Sequence, residues 1–243
     1  TLQEILLYGN VDLTSDNVAA ITRALHRSSN LSTVAISHCG LTASFLPVIT
    51  IALQHWKRLE RLELSHNNFT NTDALVATQF FTALSKLTDL QEMLLCSCNL
   101  PESSGFALAT ELSKISTLIV VNLSDNPDFG DEVVIGIVHA LRKCEGMSKV
   151  MLSNCNLTAE SLPAITAALQ SWPQLRRLWL HSNDFRAITT NQANSFIAAV
   201  NALEKLDSFA IMPSDRPHFY TAAFQKLISN ESYPLTGIMF IHN

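Results

Sequence analysis

The residues of this chain that could do chemistry are its histidines and cysteines. His38 and His66 occupy equivalent places in two successive units of a repeating pattern, and pairing of the two strands would set them about 5 Å apart. Two imidazoles without a carboxylate or thiolate beside them make a weak metal site, so we expect solvated histidines. Cys96 and Cys98 are separated by one residue on a predicted strand. We do not expect the two thiols to chelate a metal together.

Other chemistry finds no support in the sequence. There is no glycine-rich phosphate loop, nucleophile elbow or metal-binding helix motif. The 16 basic and 21 acidic residues give a net charge of −5, which provides no basic footprint for nucleic acid. No apolar run reaches the roughly 18 residues that a membrane span needs. We expect no enzymatic activity, no cofactor, no metal and neither nucleic acid nor membrane as a partner.

A pattern of apolar residues closed by Asn or Cys, L-x-x-L-x-L-x-x-N/C-x-L, recurs along the chain, and such self-similarity is typical of a solenoid. Its units begin 28 to 31 residues apart, at Leu2, Leu31, Leu59, Leu90, Leu118, Met147, Leu175, Leu206 and Leu235. We expect residues 1–243 to form a single domain of about eight repeats plus a truncated ninth. Because the pattern is already running at both ends, we interpret the chain as part of a longer protein.

The unit lengths themselves repeat after four units, at an offset of 116 residues. This shift places Leu41-Thr42-Ala43 on Leu157-Thr158-Ala159 and Trp56 on Trp172. Because solvent-facing as well as core positions agree, we expect that a block of four repeats was duplicated.

Each unit contains one strand and one helix. The L-x-L segment alternates with period two, as in a strand with its leucines on one face. In the sixth unit Leu162, Ile165, Leu169 and Trp172 form one helical face, and Pro163 falls in the first turn, where its missing N–H costs little. A lone strand and helix cannot bury their apolar faces, so neighbouring units must stack. The expected fold is α/β, a right-handed β-α solenoid with parallel strands on the concave face and helices on the convex face.

Repeats of this length, with a full helix and alternating Asn and Cys, resemble the ribonuclease-inhibitor type of leucine-rich repeat over the whole chain. The resemblance implies a horseshoe. It leaves function open, because this architecture serves inhibitors, the sensing regions of NOD-like receptors, GTPase-activating proteins and ubiquitin-ligase adaptors.

In the first seven repeats one position holds only Asn or Cys, whereas the degenerate eighth repeat has Ser214 there. We call the seven residues the ladder: Asn10, Cys39, Asn67, Cys98, Asn126, Cys155 and Asn183. Here the backbone leaves the strand and turns inward, and an amide or thiol can bond its buried polar groups. We therefore expect a structural role. The ladder cysteines lie two repeats apart, about 10 Å, which is too far for disulfides. With five cysteines in total, a reducing cytoplasm is the expected location. Five Asn-x-Ser/Thr triplets arise largely from the repeat pattern, and we do not expect them to be glycosylated.

Strand alternation also predicts the concave face. Its side chains become more apolar toward the C-terminal end, and an exposed apolar patch is typical of an interface. The seventh strand adds residue types common in binding hot spots. The residues expected to bind a partner are Arg177, Trp179, His181, Met151, Leu94 and Met239. We expect Trp179 to be held in water. The alternative is that further repeats or an intramolecular contact cover the last strands.

The expected function is protein–protein interaction, as a ligand-sensing or scaffold module that binds another protein on its concave face. The alternative is a GTPase-activating or ubiquitin-ligase adaptor module. Because neither end carries a polar capping repeat, we also expect weak self-association. Residues 213–217, which include two prolines, should make the eighth repeat the least regular.

Overall fold

Eight short strands lie side by side in chain order and form one parallel sheet, in a computed structural model that describes residues 2–211. The strands are β1 (Glu4–Leu6), β2 (Thr33–Ala35), β3 (Arg61–Glu63), β4 (Glu92–Leu94), β5 (Val120–Asn122), β6 (Lys149–Met151), β7 (Arg177–Trp179) and β8 (Ser208–Ala210). The predictions for Met239, for residues 213–217 and for the ninth repeat lie outside the described residues.

A helix follows each of the first seven strands. The helices are α1 (Ser15–Leu25), α2 (Leu46–Leu53), α3 (Ala74–Leu84), α4 (Glu102–Leu112), α5 (Gly130–Leu141), α6 (Leu162–Leu169) and α7 (Thr190–Asn201). Pro163 lies in the first turn of its helix, as predicted. The resulting β-α solenoid is the fold that the sequence predicts. None of the helices within residues 2–211 has the length and apolar character needed to cross a membrane.

The alignment of the repeats is reproduced in every pair of described strands. Central residues of neighbouring strands stand opposite one another, as Leu62 does with Met93 and Leu178 with Phe209. The central residue of each strand is buried against the helices. Strand alternation therefore turns the two outer residues to the other side of the sheet, and we call that side the concave face.

Trp56 and Trp172 show how the helices dock. Both rings are fully buried. The indole N–H of Trp56 donates to the carbonyl of Leu25 at 3.3 Å, and that of Trp172 donates to Leu141 at 3.0 Å. The two tryptophan donors are 116 residues apart, and so are the two leucine acceptors. This match supports the proposal that a four-repeat block was duplicated.

The turn after each strand uses the left-handed backbone region. The residue just before each ladder position has a positive φ, between 53° and 66° in the first four repeats, for example 55° at His38. In the Cys-type repeats the residue after the ladder position is left-handed as well: Gly40, Asn99 and Asn156. Gly, Asn and Asp tolerate this region best, so the sequence supplies suitable residues at most of these turns.

Candidate protein-binding surface

The ladder asparagines join consecutive repeats. The Asn67 side-chain oxygen accepts the backbone N–H groups of Cys39 at 3.1 Å and Leu41 at 3.0 Å, both in the preceding repeat. Its amide nitrogen donates to the carbonyls of Ile36 at 2.7 Å and Leu64 at 2.8 Å. Asn67 is buried, so its one side chain satisfies backbone groups that water cannot reach.

Asn183 repeats this arrangement on Cys155 and Leu157, with N···O distances of 2.9 and 3.0 Å. Asn10 differs because it lies in the first repeat of the chain. Its side chain is exposed and donates to the Tyr8 carbonyl at 3.1 Å. The buried role predicted for every ladder residue is therefore wrong for Asn10.

The ladder thiols donate to backbone carbonyls of the preceding repeat. The acceptors are Leu7 at 2.9 Å for Cys39, Leu64 at 3.2 Å for Cys98 and Leu123 at 3.2 Å for Cys155. Burial raises the pKa of Cys98 and of Cys155 to about 12. These thiols therefore stay protonated at neutral pH, which suits a structural role and not a nucleophilic one.

The two histidines are exposed to solvent, and the two cysteines lie in different environments. His38 and His66 are exposed, with ring centroids 6.3 Å apart in an edge-to-face arrangement. Cys98 is buried, whereas Cys96 lies half-buried on the concave side, its sulfur 3.5 Å from Asp125. Across residues 2–211 no group of three His, Cys, Asp or Glu side chains could hold a metal ion.

Arg177, Trp179 and His181 form one cluster on the concave face, which we call the β7 cluster. The guanidinium carbon of Arg177 lies 4.7 Å from the centre of the Trp179 ring, a cation–π distance. The indole N–H donates to the Ser208 hydroxyl at 3.0 Å. The ring centroid of His181 is 6.2 Å from that of Trp179. The expectation that Trp179 is held in water is wrong, because Arg177 and Ser208 leave it half-buried.

His181 is kept neutral by its position. Partial burial lowers its pKa below the ordinary value, and the nearby negative charge of Asp125 opposes this without reversing it. At neutral pH the cationic groups of the concave face near β7 are therefore Arg177 and Lys149, which stand opposite each other on neighbouring strands.

Two of the other predicted binding residues contribute less than expected. Met151 is only 6% exposed, because its neighbours in register, Asn122 and Trp179, pack against it from both sides. Leu94 is half-buried on β4, two strands away from Met151. The structure therefore brings Met151 together with the β7 cluster and leaves Leu94 apart from it.

Exposed apolar side chains are also found at the N-terminal end of the described sheet, whereas the last residues of the predicted C-terminal apolar face, Met239 among them, lie outside the described residues. Within the described residues the most exposed large apolar side chains of the concave face are Leu6 at 49%, the last residue of β1, and Tyr8 at 51%, just after it. Among the described strands β1 pairs with β2 alone, so no second neighbour covers these two side chains. Val120 in the middle of the sheet is buried.

A second polar cluster, around Glu63 on the concave face, was missed from the sequence. Arg61 forms ion pairs with Glu63, at 2.5 Å, and with Glu92. Glu63 also accepts hydrogen bonds from the Ser37 hydroxyl at 2.9 Å and the Tyr8 hydroxyl at 3.4 Å. Strand alternation and register were the available signal, because they place all five residues on one face.

The charge of Arg61 is stabilised in this cluster. Burial opposes the charged form, but the hydrogen bond to Glu63 and the negative charges of Glu92 and Glu63 outweigh it and raise the pKa. The concave face is thus divided: acids and a paired arginine lie on β3 and β4, and the two cations Lys149 and Arg177 lie on β6 and β7.

Comparison with known proteins places the chain among repeat proteins of one kind. No family model matches it. It is 27% identical over 184 residues to a ribonuclease inhibitor of Sus scrofa, covering 72% of this chain and 38% of that protein. It is 28% identical over 149 residues to the NACHT, LRR and PYD domains-containing protein 3 of Mus musculus, covering 60% and 14%. The chain therefore spans well under half of the length of these relatives.

Among solved structures, the yeast Rad7 and Elc1 complex contains a chain with a TM-score of 0.51 and 18% identity, covering 87% of this chain and 56% of that one. At that identity the likeness concerns the fold alone. The repeat length, the single parallel sheet, the alternation of Asn and Cys and the similarity to ribonuclease inhibitor identify the chain as a leucine-rich repeat protein of the ribonuclease-inhibitor-like type.

Proposed function

We propose that the chain is a protein-interaction module, a ligand-sensing or scaffold domain that binds another protein on its concave face with the β7 cluster at the centre. The similarity to a protein named for inhibiting ribonuclease supports the general class. The observation that carries the site is Trp179, half-exposed on the side of β7 that faces away from the core, with Arg177 stacked on its ring.

Trp179 suits a binding site because its side chain combines a large contact area with rigidity. An indole ring supplies a large contact area with few rotatable bonds, and Trp and Arg are the residue types most enriched in binding hot spots. The stacked guanidinium and the hydrogen bond to Ser208 hold the ring in place before a partner arrives. A pre-ordered side chain loses less conformational entropy on binding, so more of its contact energy appears as affinity.

We also propose a cytoplasmic location. All five cysteines are free thiols. Disulfides persist mainly in oxidising compartments, so a set of unpaired, mostly buried thiols fits a reducing one.

The first experiment finds the partner and tests the face. A photo-crosslinking amino acid is placed at Leu94 on the concave face and, as the matched control, at Leu75 on α3, which is 65% exposed on the convex side. We expect discrete cross-linked products from position 94 that are absent from position 75. Cross-links from position 75 alone would show that the concave face is not the binding surface.

The second experiment measures the site on the partner so identified. By titration calorimetry, Trp179→Ala should weaken binding by about 2 kcal/mol or more, the level of a hot spot, whereas Leu75→Ala should leave the affinity unchanged. Because Trp179 is half-buried, the alanine variant is checked for folding by circular dichroism, and Trp179→Phe keeps a ring at the position. Equal affinities for Trp179→Ala and the wild type would contradict the proposal.

A further inference from the structure

Arg61 and Arg177 occupy the same position in the two halves of the array. Each is the first residue of its strand, and they lie 116 residues apart. Arg61 is flanked by two carboxylates, from Glu63 on its own strand and Glu92 on the next. The residues that take these places around Arg177 are Trp179 and Ser208. Arg61 therefore has two acidic neighbours from its own chain, whereas the equivalent Arg177 has none at the corresponding positions.

Two buried polar atoms of the second half lack the hydrogen-bond partner that a glutamate provides in the first half. In the first half the hydroxyl of Ser37 donates to Glu63 at 2.9 Å. Its counterpart 116 residues later is Ser153, whose hydroxyl is buried without a hydrogen-bond partner. The Nε atom of Arg177 is also buried and unpartnered. Both atoms belong to residues whose counterparts bond Glu63, and a buried polar atom without a partner is unusual in a native protein.

Lys149 adds a second positive charge beside Arg177. Lys149 on β6 stands opposite Arg177 in register, where the first half has Thr33 opposite Arg61. Among the ion pairs formed within residues 2–211, neither Lys149 nor Arg177 takes part. The two cations lie side by side on the concave face, and no acid of the described part of the chain forms an ion pair with them.

We propose that Lys149 and Arg177 bind carboxylate groups of an acidic segment of the partner protein, in the place that Glu63 and Glu92 fill for Arg61. This inference rests on the proposed function and specifies the chemistry of the partner. The ligand class is a carboxylate because the chain itself presents carboxylates to the equivalent arginine.

The geometry suits that ligand. A guanidinium binds a carboxylate through two parallel N–H···O bonds, which are among the stronger hydrogen bonds in proteins. Stacking on Trp179 occupies the flat face of the Arg177 guanidinium and leaves its edge for such a pair. Lys149 adds a compact charge that a neighbouring carboxylate of the same segment can reach.

A basic partner fits the concave face less well. Two acids of that face, Glu63 and Glu92, already share the Arg61 guanidinium. A basic segment would have to displace Arg61 and would leave Lys149 and Arg177 facing like charge, which disfavours association.

The test uses the full 243-residue chain and a fluorescent hexaglutamate peptide, with binding followed by anisotropy at low salt. We expect hexaglutamate to bind and added salt to weaken it, because exposed charges are screened. Lys149→Gln and Arg177→Gln should each weaken binding about tenfold, which corresponds to about 1.4 kcal/mol. Lys57→Gln, which removes the same charge from an exposed position away from this face, is the control and should have no effect.

A second pair of variants restores the internal acid. Ser208→Glu places a carboxylate where the first half has Glu92, so it should occupy Arg177 and reduce hexaglutamate binding at least tenfold. Ser208→Gln has nearly the same size without the charge, so the difference between the two variants isolates the carboxylate, and Ser208→Gln should bind hexaglutamate at least tenfold more tightly than Ser208→Glu does. Thermal melts of both variants establish that they are folded. Equal binding by the two would show that Arg177 is not the site.

The remaining outcomes separate this inference from the proposed function. Binding of hexalysine and not of hexaglutamate would overturn the acidic partner, while cross-links from position 94 would still support the concave face. Displacement of hexaglutamate by equimolar inorganic phosphate would show a general anion site and overturn the carboxylate assignment. Cross-links from position 75 alone would instead refute the proposed function, whatever the peptide does.

Discussion

The side-chain oxygen of Asn67 accepts the backbone N–H of Cys39 at 3.1 Å, so one amide ties the turn of a repeat to the turn of the repeat before it. Asn67→Ala would leave this N–H, that of Leu41 and the carbonyls that the amide serves without their partner. Each buried group left unpaired costs about 1–3 kcal/mol. We expect a loss of about 3 kcal/mol in the free energy of unfolding, measured by urea denaturation.

Asn10→Ala is the matched control. It removes the same residue type from the same repeat position, but Asn10 is exposed and bonds only the nearby Tyr8 carbonyl. We expect a change within about 0.5 kcal/mol, as for most surface substitutions. Similar losses for the two variants would mean that the bonds between repeats do not decide the cost.

Gly105 allows α4 and α5 to pack closely. A Cβ atom at this position would lie 3.0 Å from a ring carbon of Phe129 and closer still to a methyl group of Val133. Overpacking of this kind costs about 1–3 kcal/mol, and the better helix propensity of alanine offsets up to about 1 kcal/mol. We expect Gly105→Ala to lower the melting temperature.

Gly146→Ala provides the comparison for that experiment. The nearest atom to an added Cβ is 3.9 Å away, on Ile119, so the methyl group meets no steric conflict and the melting temperature should hardly change. If Gly105→Ala melted at or above the wild-type temperature, the close approach of α4 and α5 would have to be looser than described.

His181 makes the stability depend on pH. Burial lowers its pKa in the folded protein below the ordinary value of 6.5. The unfolded chain therefore binds the proton more readily, and stability that is present above pH 6.5 is lost as the pH falls toward the folded pKa. We expect His181→Asn to melt at a more constant temperature between pH 7.5 and 5.5 than the wild type. Parallel curves for the two proteins would exclude His181 as the source.

The first strand is the expected site of weak self-association. Leu6 and Tyr8 are about half exposed on its concave side and Val11 is exposed in the turn that follows, while β1 pairs with β2 alone among the described strands. The edge strand of a sheet pairs readily with another chain, and a charged side chain on that strand opposes the pairing. Leu6→Lys should reduce the average mass measured by sedimentation at high concentration. A wild type that is monomeric throughout the range would contradict the expectation.

Much of the solenoid could be predicted because its unit is short and its signals are local. The alternation of Leu62, Glu63 and Leu64 determines which side chains are buried, and the recurrence of Asn67 and its equivalents determines the register. Both follow from strand geometry, and the structure agrees with them at every described strand.

Exposure on the concave face could not be predicted in the same way. Strand alternation places Met151 on that face, but whether it is accessible depends on the size of its neighbours Asn122 and Trp179. At a strand spacing of about 4.8 Å such side chains touch one another and cover the smaller or more central ones. The burial of Trp179 by Arg177 likewise depends on side-chain conformations that a repeat pattern does not specify.

Because Asn and Cys alternate at the ladder position, the structure of the turns repeats every two units. An Asn-type turn receives N–H groups from the Cys-type turn before it, as Asn67 does from Cys39 and Leu41. Within residues 2–211 only Cys-type turns carry the second left-handed residue, such as Gly40 or Asn99. Among the seven described helices, contacts join only those of consecutive units. Removal of one unit would set two like turns side by side, whereas removal of two adjacent units would preserve every kind of junction. Gain or loss of repeats in pairs is therefore the length change that this fold accommodates.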